Sequence, residues 1–172
     1  MDKLIIDDKK FRGLVANICR DITNDGWRPD YVVGITRGGL PAATMISHYF
    51  DVRMEALKVS LRDGGDNACE SNLWMAEDAF GYDPDIPQPN ILIVDDINDT
   101  GATLDWIVKD WPSGCMPNEE QRWNSVWGQN VRFAVVVDNE ASKFIHKTYS
   151  GMTINKAERD VWVEFPYENW WA

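Results

Sequence analysis

The stretch Ile91-Leu92-Ile93-Val94-Asp95-Asp96-Ile97-Asn98-Asp99-Thr100-Gly101-Ala102-Thr103 constrains this chain more than any other. Asn90 to Val94 reads as a buried strand, because a short unbroken aliphatic run is what a sheet covered on both faces requires. Asp95 to Gly101 reads as a loop, and Ala102 to Trp111 as a helix stopped by Pro112. Two carboxylates then stand at the C-terminal tip of a strand, where open α/β sheets bind ligands. The N–H groups of Thr100 to Thr103 open the following helix, and Gly101 lets a ligand approach the backbone closely. That combination suits an anion such as phosphate. Donors for a phosphate beside acceptors for hydroxyl groups or a metal fit a sugar phosphate.

The rest of the chain repeats the strand and helix rhythm. Asp7 is positioned to cap a helix whose apolar stripe is Phe11, Leu14, Val15, Ile18 and Ile22, a 3.6-residue period. Tyr31 to Ile35 is a second buried strand, Thr36-Arg37-Gly38-Gly39 a turn, and Leu40 to Phe50 a helix with Pro41 in its first turn. Arg53 to Val59 and Val131 to Asp138 read as strands, and Val161 to Phe165 as a last short one. Ser60 to Pro89 holds three glycines, three prolines and many acids. It is too long for an ordinary connection, so it is either a functional lid or partly mobile. Ser113 to Asn130 is irregular or helical. Alternating strands and helices predict right-handed βαβ units and a mostly parallel sheet. The 172 residues suit one domain with its own core.

Composition removes several classes. With 28 acids against 17 bases the formal charge is −11, a poor match to non-specific nucleic-acid binding, which needs Lys and Arg to displace phosphate counterions. The three cysteines, at 19, 69 and 115, form no CxxC, which argues against a disulfide framework or a zinc site and fits a reducing, cytoplasmic setting. Only His48 and His146 are available, so a histidine-based triad or metal cage is disfavoured. No apolar run is long enough for a membrane helix, and Met1 to Lys10 lacks a signal-peptide core. Seven of the nine tryptophans lie from Trp106 to Trp171; Trp106 and Trp111 read as packing or interface residues.

Two other motifs compete for the same residues. Asp95-Asp96-x-x-Asp99 fits a metal motif of all-helical prenyl-diphosphate synthases, but here it follows a strand and precedes a glycine. Gly34-x-x-x-x-Gly39 nears a P-loop, with Leu40 where the phosphate-binding Lys belongs.

The Ile91 to Thr103 segment, four aliphatics, two acids and Asp-Thr-Gly-x-Thr, resembles the phosphoribosyl-pyrophosphate (PRPP) motif of type I phosphoribosyltransferases. Val33 to Leu40 resembles the first-strand loop that holds pyrophosphate in that family. Asp160-Val161-Trp162-Val163-Glu164-Phe165-Pro166 resembles the purine-binding segment of the bacterial xanthine-guanine, or 6-oxopurine, subgroup. The resemblance covers Leu4 to Val59, Asn90 to Trp106 and Asn130 to Trp170.

That resemblance implies a type I fold with a small C-terminal hood and a mobile lid, the lid at about 60–89 and the base-binding segment at about 139–172. It implies transfer of phosphoribosyl from PRPP to guanine, xanthine or hypoxanthine, with Mg²⁺. The alternative is a regulatory protein that binds PRPP or a nucleotide on the same fold without turnover. By resemblance, Asp95 and Asp96 take the ribose hydroxyls, with Asp96 nearer the metal. Asp99 lies near the base N7 as a general acid or base. Thr100, Gly101, Ala102 and Thr103 cradle the 5′-phosphate, and Arg37 and Gly38 bind pyrophosphate. Trp162 stacks on the purine, and the Val163 backbone reads its 2-substituent. Ser60, Leu61 and Arg62 begin the lid. Asn139 occupies the place of the family's base-reading Lys. Relatives form dimers or tetramers, so a homo-oligomer is implied.

Overall fold

The computed structural model describes residues 1–59 and 72–172. In chain order the elements are β1 (Asp2–Ile5), α1 (Asp8–Asn24), β2 (Tyr31–Thr36), α2 (Leu40–Phe50), β3 (Arg53–Lys58), α3 (Leu73–Phe80), β4 (Ile91–Asn98), α4 (Ala102–Gly114), α5 (Glu120–Asn124), β5 (Val131–Asn139), β6 (Thr148–Ile154) and β7 (Val161–Glu164). Five strands form a wholly parallel sheet in the order β3-β2-β4-β5-β6. β1 and β7 pair separately as a two-stranded parallel ribbon. The α/β class with helices flanking a parallel sheet is thus the one the sequence rhythm predicts.

Strand alternation divides the core in two. Tyr31, Val33, Ile35, Ile91, Ile93, Val131, Phe133 and Val135 point to the face covered by α3 and α4. Val32, Leu92, Val94, Ala134 and Val136 point to the face covered by α1 and α2. α1 buries the expected stripe, with Asp7 accepting a hydrogen bond from the Lys10 backbone N–H at 2.8 Å. Val163 and Phe165 join this second layer, so the C-terminal segment is anchored in the core.

Several expectations are corrected. β4 does not stop at Val94 but runs to Asn98. Its pairing with β2 ends at Gly34↔Val94, whereas its pairing with β5 continues to Asn98↔Asp138. Asp95 and Asp96 therefore lie on a strand that keeps one neighbour and loses the other. α4 continues through Pro112 to Gly114. A proline so near a helix end removes one backbone bond from a turn that buried Trp111 already anchors. The long connection after β3 holds α3, whose Met75, Ala76, Ala79 and Phe80 are buried; those residues belong to the core rather than to an open loop. Ser60, Leu61 and Arg62 lie outside the described residues. β1 and β6 were not expected. β6 (TYSGMTI) lacks an aliphatic run because it is an edge strand.

The tryptophans separate into core and surface. Trp111, Trp123 and Trp127 are buried, and the Trp123 and Trp127 rings stack at 5.6 Å. Trp123 Nε1 donates to the Cys115 carbonyl at 2.8 Å. This group packs α4 and α5 onto the sheet, so packing is its role in the monomer. Among the described residues no helix is long and apolar enough to cross a membrane.

Candidate active site

The chain after β2 passes through α2 to β3 on one side, and the chain after β4 passes through α4 to β5 on the other. The strand order therefore reverses between β2 and β4. The two strand ends separate there into the crevice where doubly wound sheets bind ligands. The Thr36-Arg37-Gly38-Gly39 turn forms one wall and Asp95-Asp96 the other.

The two walls touch. A Cβ added at Gly38 would collide with the Asp96 carboxylate. The turn thus lies against the acid in the space that a side chain at Gly38 would take. Arg37 is exposed at the tip of the turn, and its guanidinium enters no ion pair among the described residues.

Both acids are held by the backbone. The Asp96 N–H donates to Asp95 Oδ1 at 2.8 Å, and the Ile97 N–H donates to Asp96 Oδ1 at 2.8 Å. Burial pushes the Asp95 carboxyl well above the usual range, and the adjacent Asp96 charge pushes it further. Burial likewise raises Asp96. No Lys or Arg among the described residues forms an ion pair with either acid.

Two closely spaced acids, one buried and one partly buried, with no ion pair among the described residues are costly unless a ligand or ion neutralises them. No cluster of three or more His, Cys, Asp or Glu suited to a metal occurs among the described residues. Mg²⁺ does not require one. It commonly takes one or two carboxylates and completes its shell with water and substrate phosphates. The Asp95-Asp96 pair fits that pattern.

The loop into α4 is braced from β5. Asn98 Nδ2 donates to Asp138 Oδ1 at 2.9 Å, Ser142 Oγ donates to Asn98 Oδ1 at 3.0 Å, and the Lys143 N–H donates to the Thr100 carbonyl at 3.0 Å. Gly101 has φ +94°, and a Cβ there would lie 2.7 Å from the Phe144 nitrogen. Thr100 and Ala102 are exposed and Thr103 is partly buried, so the start of α4 opens outward. The Ala102 N–H donates to Thr100 Oγ1 at 3.2 Å.

Asn139 ends β5. Its Nδ2 donates to the Asp99 carbonyl at 2.8 Å, while its Oδ1 accepts from the Ala141 N–H at 3.2 Å and the Lys156 N–H at 2.9 Å. The side chain is 95% buried in effect, with a relative exposure of 5%. Both ends of the amide make hydrogen bonds within the protein, so Asn139 braces the loop that carries Asp99.

The sequence reading missed Lys156. It lies just beyond β6, and its Nζ stands 3.1 Å from Asp99 Oδ1. Nothing local marks it, since lysine after an edge strand is ordinary surface composition. Tyr167 was missed as well; its hydroxyl donates to the Gly38 carbonyl at 2.9 Å.

Trp162 and Val163 lie on β7, opposite Lys3 and Leu4 of β1. Val163 is buried, while the Trp162 side chain is 47% exposed and keeps an indole free for contact.

Sequence comparison matches the phosphoribosyl transferase domain to residues 5–168. A xanthine-guanine phosphoribosyltransferase of Cereibacter sphaeroides is 27% identical over 146 residues, covering 84% of this chain and 71% of its own. A purine phosphoribosyltransferase from Pyrococcus horikoshii has a similar structure, with a TM-score of 0.67 at 18% identity over 98% of this chain and 96% of that one. The Helicobacter pylori xanthine-guanine-hypoxanthine phosphoribosyltransferase gives 0.61 at 13% identity, over 96% and 91%. At such identities the structural likeness concerns the fold.

Proposed function

This chain belongs to the phosphoribosyl transferase domain family, and from that premise we propose that it transfers phosphoribosyl from PRPP to a 6-oxopurine base. The products are a nucleoside 5′-monophosphate and pyrophosphate. The observation that carries this reading is the closure of the β2 turn onto the β4 acids, Gly38 against Asp96, at the point where strand order reverses.

The bond from the anomeric carbon to pyrophosphate breaks as a bond from that carbon to a base nitrogen forms. Positive charge builds on the ribose ring, as in glycosidic cleavage. The backbone donors from Thr100 to Thr103 bind and orient the 5′-phosphate. Asp95 and Asp96 accept hydrogen bonds from the ribose hydroxyls, and their negative charge favours the ring cation. Arg37 and Gly38 receive the pyrophosphate. Asp96, with the ligand's own oxygens, would hold a magnesium ion, which when bound would neutralise charge on the leaving group.

Asp99 accepts or returns a proton at the base. Trp162 stacks on the purine and the Val163 backbone meets its edge. Lys156, beside Asp99, is the cation that takes the place expected of Asn139 and donates to a base carbonyl. A cytoplasmic homo-oligomer, dimer or tetramer, completes the reading.

The test is pyrophosphate release from PRPP and Mg²⁺ with guanine, xanthine, hypoxanthine and adenine in turn. Release with the oxopurines and not with adenine supports the proposal. Release with adenine alone overturns the oxopurine assignment. PRPP binding without release with any base would make the protein a binding module.

A further inference from the structure

Tyr167 lies in a turn closed from both ends. The Glu168 N–H donates to the Phe165 carbonyl at 3.1 Å, and the Phe165 N–H donates to Glu168 Oε1 at 3.2 Å. The Tyr167 ring stacks on Phe165 at 5.7 Å and 6° and meets the edge of Phe11 at 5.6 Å. Phe11 and Phe165 are themselves buried in the core. Ring packing alone accounts for where the side chain sits, so its hydroxyl is free for another use.

That hydroxyl crosses to the β2 turn and donates to the Gly38 carbonyl at 2.9 Å. The same peptide unit is fixed at its other pole, where the Gly39 N–H donates to the Ile35 carbonyl at 2.8 Å. A peptide is planar, so two such bonds fix its orientation. Among the described residues the phenol is the donor to this carbonyl, which lies beside the Asp96 carboxylate. The phenol also faces the Asp96 carboxylate, so it stands between that acid and the Gly38 carbonyl.

We propose that Tyr167 is a positioning residue for the pyrophosphate loop, its hydroxyl holding the Gly38 carbonyl so that the turn stays docked on Asp96. The residue also joins two parts of the site in one short segment. β7, with Trp162 and Val163, ends at Glu164, and the turn at Phe165 to Glu168 reaches the β2 turn. This inference rests on reading Arg37 and Gly38 as the pyrophosphate-binding turn.

The test compares wild type with Tyr167→Phe, which keeps the ring. Calorimetric binding of inorganic pyrophosphate with Mg²⁺ is measured first, then KM for PRPP, KM for the base, and kcat. Loss of one hydrogen bond predicts pyrophosphate binding and KM for PRPP weaker by about 2- to 12-fold. KM for the base and the thermal midpoint should stay unchanged. Equal pyrophosphate binding by Tyr167→Phe and wild type overturns the proposal. So does a fall in thermal midpoint with both KM values rising together, which would mark a general packing role. Wild type that binds no pyrophosphate would overturn the loop assignment itself. Wild type that binds it but uses no purine leaves Tyr167 tested, because this readout needs no base.

Discussion

The Lys156 ammonium stands 3.1 Å from the Asp99 carboxylate, and the pair is assembled by Asn139. The amide of Asn139 donates to the Asp99 backbone carbonyl and accepts from the Lys156 backbone N–H. One buried side chain thus bridges the backbones of an acid just after β4 and a base from the far edge of the sheet. Lys156 keeps 19% side-chain exposure and Asp99 47%, so the pair sits at the mouth of the site rather than within the core.

Lys156→Met should therefore act on the base and not on PRPP. Loss of a charged hydrogen bond to a base carbonyl predicts a fall of about 10- to 100-fold in kcat/KM for the base. KM for PRPP should change little. Steady-state kinetics with each substrate varied in turn decides it, and equal effects on both substrates would remove Lys156 from base recognition.

Asn139→Ala should cost stability before it costs specificity. Three internal hydrogen bonds of a buried amide are lost, which predicts about 2–4 kcal/mol by denaturant unfolding. A variant as stable as wild type would show that the amide is not the brace.

Asp95→Asn should stabilise the empty protein while abolishing turnover. Burial raises the Asp95 and Asp96 carboxyls, so the folded state holds their protons more tightly than the unfolded chain does. The penalty for ionising them is absent below the unfolded carboxylate pKa of ~3.9 and grows as pH rises through the raised folded values. The thermal midpoint of Asp95→Asn should exceed that of wild type at pH 7, by roughly 2–4 °C for each kcal/mol relieved. Near pH 4 the difference should vanish. A lower midpoint at pH 7 would contradict the electrostatic account.

Gly38→Ala should keep the fold and lose the ligand. The added Cβ meets the Asp96 carboxylate, so either that carboxylate leaves its place or the turn lifts away from β4, at a cost of about 1–3 kcal/mol. PRPP-dependent turnover should fall at least tenfold with unchanged secondary structure by circular dichroism. Near-normal turnover would show that the turn need not dock on Asp96.

The motif and most elements of the central fold were legible because they are local. A run such as ILIV declares a two-sided strand, and a 3.6-residue stripe declares α1, with no knowledge of partners. Asp95, Asp96, Asp99 and the glycine that starts α4 are neighbours in sequence, so their chemistry could be read as a unit. Tertiary structure decided what depends on pairing between distant segments. β4 runs past Val94 because β5 continues beside it after β2 has turned away. Asn139 proved a brace because its partners come from β4 and from beyond β6. Lys156 and Tyr167 carry no local signal, since a lysine or tyrosine in a surface segment is ordinary until the fold brings it to a carboxylate or a carbonyl. The sequence by itself determined the acids and the turn into α4, because strand, turn and helix start are set by consecutive residues. Only the packing of the sheet decided which cation faces Asp99 and which hydroxyl holds Gly38, because those contacts form when the edge strand and the C-terminal turn close over the crevice.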